Sequence, residues 1–126
     1  MKLRIKGDSL RLRVARSELV RLMSDGRVEE TVHFGSAKDA VLTYGLAHSQ
    51  SPRDISVEYS AKRVTILLSS EAASRWAEGD DTGIYGESEI ENGVLNLAVE
   101  KDFACLDGNE ADNEDTFPNP NVGRAC

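Results

Sequence analysis

The chain has 126 residues, 40% of them hydrophobic and 29% charged, which suits one domain with a packed core and is too short for two. Its formal charge of −7 opposes non-specific attachment to nucleic acid or to an anionic membrane. No apolar run approaches the roughly 20 residues that span a bilayer, and the opening MKLRIKGDSLRLRV has no apolar leader block, so a cytoplasmic protein without a membrane partner is expected.

Lys2 to Lys6 reads as a strand, with Leu3 and Ile5 on one side and Arg4 and Lys6 on the other. Gly7-Asp8 marks a turn, and Leu10, Leu12 and Val14 alternate with Arg11 and Arg13 in a second half-buried strand. Ser17 followed by Glu18 predicts an N-cap and an acid in the first turn of a short helix. Leu19, Val20, Leu22 and Met23 are its apolar side, and Gly26 is its stop. Two more strands, Val28 to Phe34 and Ala40 to Ala47, are joined through Gly35-Ser36.

Ser49 to Asp54, with Pro52, is the internal linker, and the pattern then restarts. Ile55, Val57 and Tyr59 alternate with polar residues, and Val64, Ile66 and Leu68 follow after Ala61-Lys62. Ser70-Glu71 repeats the helix start, Ala72, Ala73 and Trp76 form its apolar side, and Gly79 stops it. Thr82 to Glu87 and Val94 to Val99 complete the set, with a tight Asn92-Gly93 turn between them. Ser17, Gly26 and Ala40 fall on Ser70, Gly79 and Gly93 at a single offset. The reading is an internal duplication, repeat 1 over about 1–48 and repeat 2 over about 55–100.

The expected fold is therefore α+β: two strand-strand-helix-strand-strand units forming a mainly antiparallel β-barrel or barrel-like sheet, which would leave no exposed edges. Residues 1–106 are the single duplicated domain. Residues 107–126 form an acidic, irregular C-terminal tail, packed on the domain or partly mobile, with Phe117 as an aromatic that could dock in a groove. The charge is unevenly spread. Residues 1–27 hold eight basic side chains against three acidic ones, whereas five acids and only Arg124 follow from Asp107 onward. Either the tail neutralises the basic half, or that half is a free anion-binding surface.

The pattern Glu100-Lys101-Asp102-Phe103-Ala104-Cys105-Leu106, then acids, Phe117-Pro118-Asn119-Pro120 and Cys126, resembles a family of small bacterial proteins of unknown function. Arg11-Leu12-Arg13 and Val28-Glu29-Glu30-Thr31 look like it too. That resemblance implies a bacterial cytoplasmic protein and no particular chemistry. Residues 3–34, with Ile5-Lys6-Gly7-Asp8-Ser9-Leu10 and the helix after Ser17, are similar to the swapped-hairpin unit of AbrB-type regulators. There two copies interlock into one barrel, so this chain would be an intramolecular pseudo-dimer. The resemblance implies DNA binding through Arg4, Arg11 and Arg13, although Asp8 and Ala15 depart from the residues usual in that family.

Chemistry-bearing residues are few. Cys105, Cys126 and His33 are zinc-type ligands, but the cysteines lack the close pairing of a structural zinc site, so no cofactor is expected and zinc is kept as the alternative. Acids flank Cys105 and disfavour its thiolate. No phosphate loop, dinucleotide fingerprint or Ser-His-Asp order is present. The expectation is a non-enzymatic protein-binding or regulatory module, with Arg4, Arg11, Arg13 and Phe117 as candidate binding residues. The alternatives are a DNA-binding regulator and a metal-binding protein.

Overall fold

The computed structural model describes residues 1–104 and 115–118. Strands β1 (Lys2–Ile5) and β2 (Ser9–Val14) form a hairpin, followed by α1 (Arg16–Asp25), β3 (Arg27–His33) and β4 (Val41–Ser49). After the Pro52 segment come β5 (Ile55–Ser60), β6 (Arg63–Ser69), α2 (Ser70–Glu78), β7 (Gly83–Ile90) and β8 (Gly93–Lys101). The turns follow local chemistry. Ala61 and Lys62 at φ 47° and 65° turn β5 into β6, and Asn92 at φ 63° turns β7 into β8.

The two helices start differently. Ser69 caps α2, its hydroxyl oxygen accepting the Ala72 N–H at 3.1 Å. Helix α1 has Ala15 at the cap position, one residue before its first turn, so Ser17 is not the N-cap that the sequence suggested. Alanine offers no acceptor, and the open N–H groups find acceptors elsewhere. The Arg16 N–H donates to the Asp115 carbonyl at 3.0 Å, and the Ser17 N–H to Asp115 Oδ1 at 3.0 Å. The Ser17 hydroxyl also bonds Asp115 Oδ2. At the other end Gly26, left-handed at φ 78°, closes α1 with its N–H on the Leu22 carbonyl at 2.9 Å.

The strands assemble into two four-stranded mixed sheets, ordered β1-β2-β8-β7 and β3-β4-β6-β5. Each hairpin is antiparallel, and each sheet is completed at its centre by one parallel pair, β2 with β8 and β4 with β6. The first sheet thus joins the opening hairpin of the first unit to the closing hairpin of the second. The second sheet does the converse, and exchanging the units turns one strand order into the other.

The α+β class is as expected, but the described residues form two separate sheets and not a closed barrel. Edge strands β5 and β7 lie beside each other without a hydrogen-bonded ladder. Gly86 of β7 sits so close to Ile55 of β5 that an added Cβ would collide with the Ile55 Cγ2 methyl. Glycine at this position lets the Ile55 side chain pack closely against the inner face of β7. The inner faces share one core, with Leu12, Val14, Leu22, Leu46, Ile66, Leu68, Trp76 and Val99 fully enclosed. The Trp76 indole N–H donates to the Thr82 carbonyl at 3.2 Å, which satisfies its one polar atom.

Candidate binding face on the first sheet

Strand alternation carries Leu3, Leu10, Leu12, Val14, Leu97 and Val99 inward, so their neighbours form the outer face of the first sheet. Register then fixes rows across it. Lys2, Arg13, Glu100 and Gly83 form one row, Arg4, Arg11, Ala98 and Tyr85 the next, and Ser9, Asn96 and Glu87 a third. The second row is the floor and walls of an open groove of about 800 Å³, with Lys6 at its mouth. Ala98 is a small residue between Arg11 and Tyr85, and this difference in side-chain length is what makes the trough.

Two cross-strand positions pair like charges, Arg4 opposite Arg11 and Lys2 opposite Arg13. Such pairs destabilise a sheet unless anions relieve them. Glu100 relieves Arg11, its Oε1 3.2 Å from Arg11 Nε, while its Oε2 accepts the Tyr85 hydroxyl at 2.6 Å. Asp102 relieves Lys2 at 3.0 Å. Arg4, Lys6 and Arg13 form no ion pair among the described residues. Positive charge is therefore left over on the β1–β2 side. The opposite side of the face carries Glu87, and Glu89 lines a smaller adjoining groove at the β5–β7 seam.

A second polar cluster ties the sheets together. The Met1 ammonium donates to Glu18 Oε2 at 2.5 Å and to Glu30 Oε1 at 2.7 Å, and the Tyr44 hydroxyl donates to Glu30 Oε2 at 3.2 Å. Glu18, on α1, is buried, and its Oε1 accepts the Ala15 N–H at 2.8 Å. Burial opposes the charge on Met1, yet the two carboxylates outweigh it and raise the ammonium pKa above its ordinary value. Burial likewise opposes ionisation of Glu30, and the ammonium and neighbouring hydrogen bonds hold its pKa below the usual range. The Tyr44 phenol is pushed up by burial and by Glu30. Every polar atom of this cluster named here has a partner, so it acts as a clamp between α1 and the β3–β4 hairpin.

Of the residues singled out from sequence, Arg4 and Arg11 meet in the groove, and Arg13 stands one row further along the same face. Phe117 lies elsewhere, beyond the end of β8. It packs against the core, edge-on to Phe103 with centroids 6.2 Å apart, and Lys101 Nζ sits 5.5 Å over its ring. Its N–H donates to the Asp102 carbonyl at 2.9 Å and its carbonyl accepts the Ala104 N–H at 2.7 Å. His33 is exposed at the end of β3. Cys105 and Cys126 lie outside the described residues, among which no three His, Cys, Asp or Glu side chains gather as a metal site. Sequence reading missed Tyr85, Asn96 and Glu100 as parts of the face. They reach it through the parallel β2–β8 pairing, which no local pattern announces. Lys6 was legible, since it continues the alternation of Lys2 and Arg4.

No helix among the described residues is long and apolar enough to cross a membrane. Residues 1–121 match a family described as Family of unknown function (DUF7009), and the chain belongs to that family. This agrees with the resemblance seen in the C-terminal pattern, while the match carries no link to AbrB-type regulators. No curated protein and no solved structure matches the chain.

Proposed function

We propose that this member of the family is a non-enzymatic binding module whose working surface is the outer face of the first sheet, turned toward an acidic partner protein. The observation that carries the reading is the half-compensated cation pair at the groove: Arg4 stands directly opposite Arg11, Glu100 on β8 pairs with Arg11 from the other side, and Arg4 has no ion pair among the described residues. A fold gains nothing from holding like charges together, so this is a place where local stability gives way to a binding role. A DNA-binding role for Arg4, Arg11 and Arg13 is the second reading. It is less well supported, because duplex affinity depends on neutralising many phosphates, and this face offers few free cations, with Glu87 beside them.

The matched exchange of hairpins between the sheets supports a further part of this reading, that the two units descend from one duplicated unit. Only the first copy then carries the basic stripe, since β5 and β6 have Ser56, Glu58, Thr65 and Leu67 on the corresponding positions.

The test is fluorescence anisotropy with labelled polyglutamate and labelled duplex DNA at low salt, using the whole chain and the Arg4→Glu/Lys6→Glu variant. Polyglutamate binding that weakens with salt and disappears in the variant supports the proposal. Tighter binding of the duplex, or polyglutamate binding indifferent to the variant, overturns it.

A further inference from the structure

We infer that the groove on the first sheet takes an extended acidic segment whose carboxylates fall on every second residue. This rests on the binding role proposed for that face and specifies its ligand. Arg4 on β1 and Lys6, directly after the end of that strand, are two residues apart and line the same groove, and Arg11 and Arg13 are two apart on β2. Positions so related repeat at about 7 Å along a strand. An extended peptide with alternate acids carries its charges at the same repeat, so each carboxylate meets a cation without bending the chain.

The width of the trough selects the same conformation. Its walls, Arg11 on β2 and Tyr85 on β7, are separated by the single strand β8, with Ala98 as floor. Two inter-strand spacings, about 10 Å between backbones, leave room between side chains for one extended chain. An α-helix about 10–12 Å across does not fit. Asn96 lines the groove and supplies an amide to the backbone of such a segment, while the Ser9 hydroxyl donates to the Lys6 carbonyl at 2.6 Å and leaves only its oxygen as an acceptor.

A single-stranded nucleic acid is the competing polyanion, and its recognition relies on aromatic platforms under successive bases. The groove has one aromatic, Tyr85, whose hydroxyl is held by Glu100, and so no run of platforms for successive bases. The structure therefore favours the peptide. Glu100 also acts as an internal competitor for Arg11, so a ligand carboxylate that reaches Arg11 must compete with it, whereas Arg4 and Lys6 have no ion pair to break among the described residues.

The experiment uses the full chain and labelled synthetic peptides of equal composition, half Glu and half Thr, in alternating or block order, with oligothymidylate as the third probe. The alternating peptide is expected to bind about tenfold tighter than the block peptide. Arg4→Ala and Lys6→Ala should each weaken it about fivefold, with Lys6→Arg restoring it. Glu100→Gln should tighten it by freeing Arg11. Equal affinity for the two peptides, with both sensitive to Arg4→Ala, overturns the alternate-residue inference alone. Binding of neither peptide, or binding indifferent to Arg4 and Lys6, overturns the underlying site as well. Tighter binding of oligothymidylate overturns the peptide in favour of a nucleic acid.

Discussion

Arg4→Glu is expected to stabilise the free protein while abolishing its binding. Arg4 is exposed and directly faces Arg11 across the β1–β2 ladder, and among the described residues it has no ion pair. A like-charge cross-strand pair costs about 0.2–1 kcal/mol, and an opposite-charge pair contributes a similar amount with the other sign. The swing, discounted for solvent screening at an exposed site, is about 0.5–1.5 kcal/mol. With a urea dependence of about 2 kcal/mol per M, the unfolding midpoint should rise by about 0.5 M with unchanged slope. Lys38→Glu, the same charge change on the exposed β3–β4 turn, is the control and should leave the midpoint within about 0.25 M of its original value. Circular dichroism across a urea series reads both variants. An unchanged or lower midpoint for Arg4→Glu, or an equal gain for Lys38→Glu, refutes the claim that the cation pair is held against the interest of stability.

Phe117→Ala should lose about 2–3 kcal/mol, combining a half-buried phenyl ring, its edge contact with Phe103 and the Lys101 cation above it. Phe34→Ala, with the ring 71% exposed, should change stability by less than about 0.5 kcal/mol in the same melts. Gly45→Ala should destabilise the protein by about 1–3 kcal/mol or more, read by thermal melting. The new Cβ would meet the Val28 carbonyl oxygen and lie 2.6 Å from Glu29 Cβ, on the neighbouring strand β3. The Arg63 guanidinium bonded to Glu29, aided by Arg27, holds that carboxyl below the usual Glu range. A depressed folded pKa contributes stability above the unfolded value, near 4.5, and that contribution is lost as pH falls through the folded pKa. Arg63→Ala should therefore move the Glu29 NMR titration upward and flatten the acid limb of stability, and an unmoved titration would sink this account.

Local pattern made the strands and helices of this chain legible, because each is marked by alternation and end signals within a few residues, the start of α1 excepted. Leu10, Leu12 and Val14 lie on the inner side of β2, Gly26 ends α1 in the left-handed region, and Asn92 makes the last turn, all as the sequence implied. The exposed stripe of Arg4, Lys6 and Arg11 was equally legible, since a strand whose apolar residues go inward must send its cations outward. Tertiary structure decided everything that depends on partners far along the chain. Parallel pairing of β2 with β8 brought Ala98, Tyr85 and Glu100 beside those cations, turning a charged strand into a groove with a floor, a wall and one internal anion. The sheets stayed two, with β5 and β7 side by side but unpaired, where the alternation had suggested a closed barrel. Asp115, ninety-eight residues beyond Ser17, supplied the helix cap that Ala15 could not. Hydrophobic alternation specifies which face of a strand is buried but is indifferent to which strand lies beside it, and that choice belongs to the packing of the whole core.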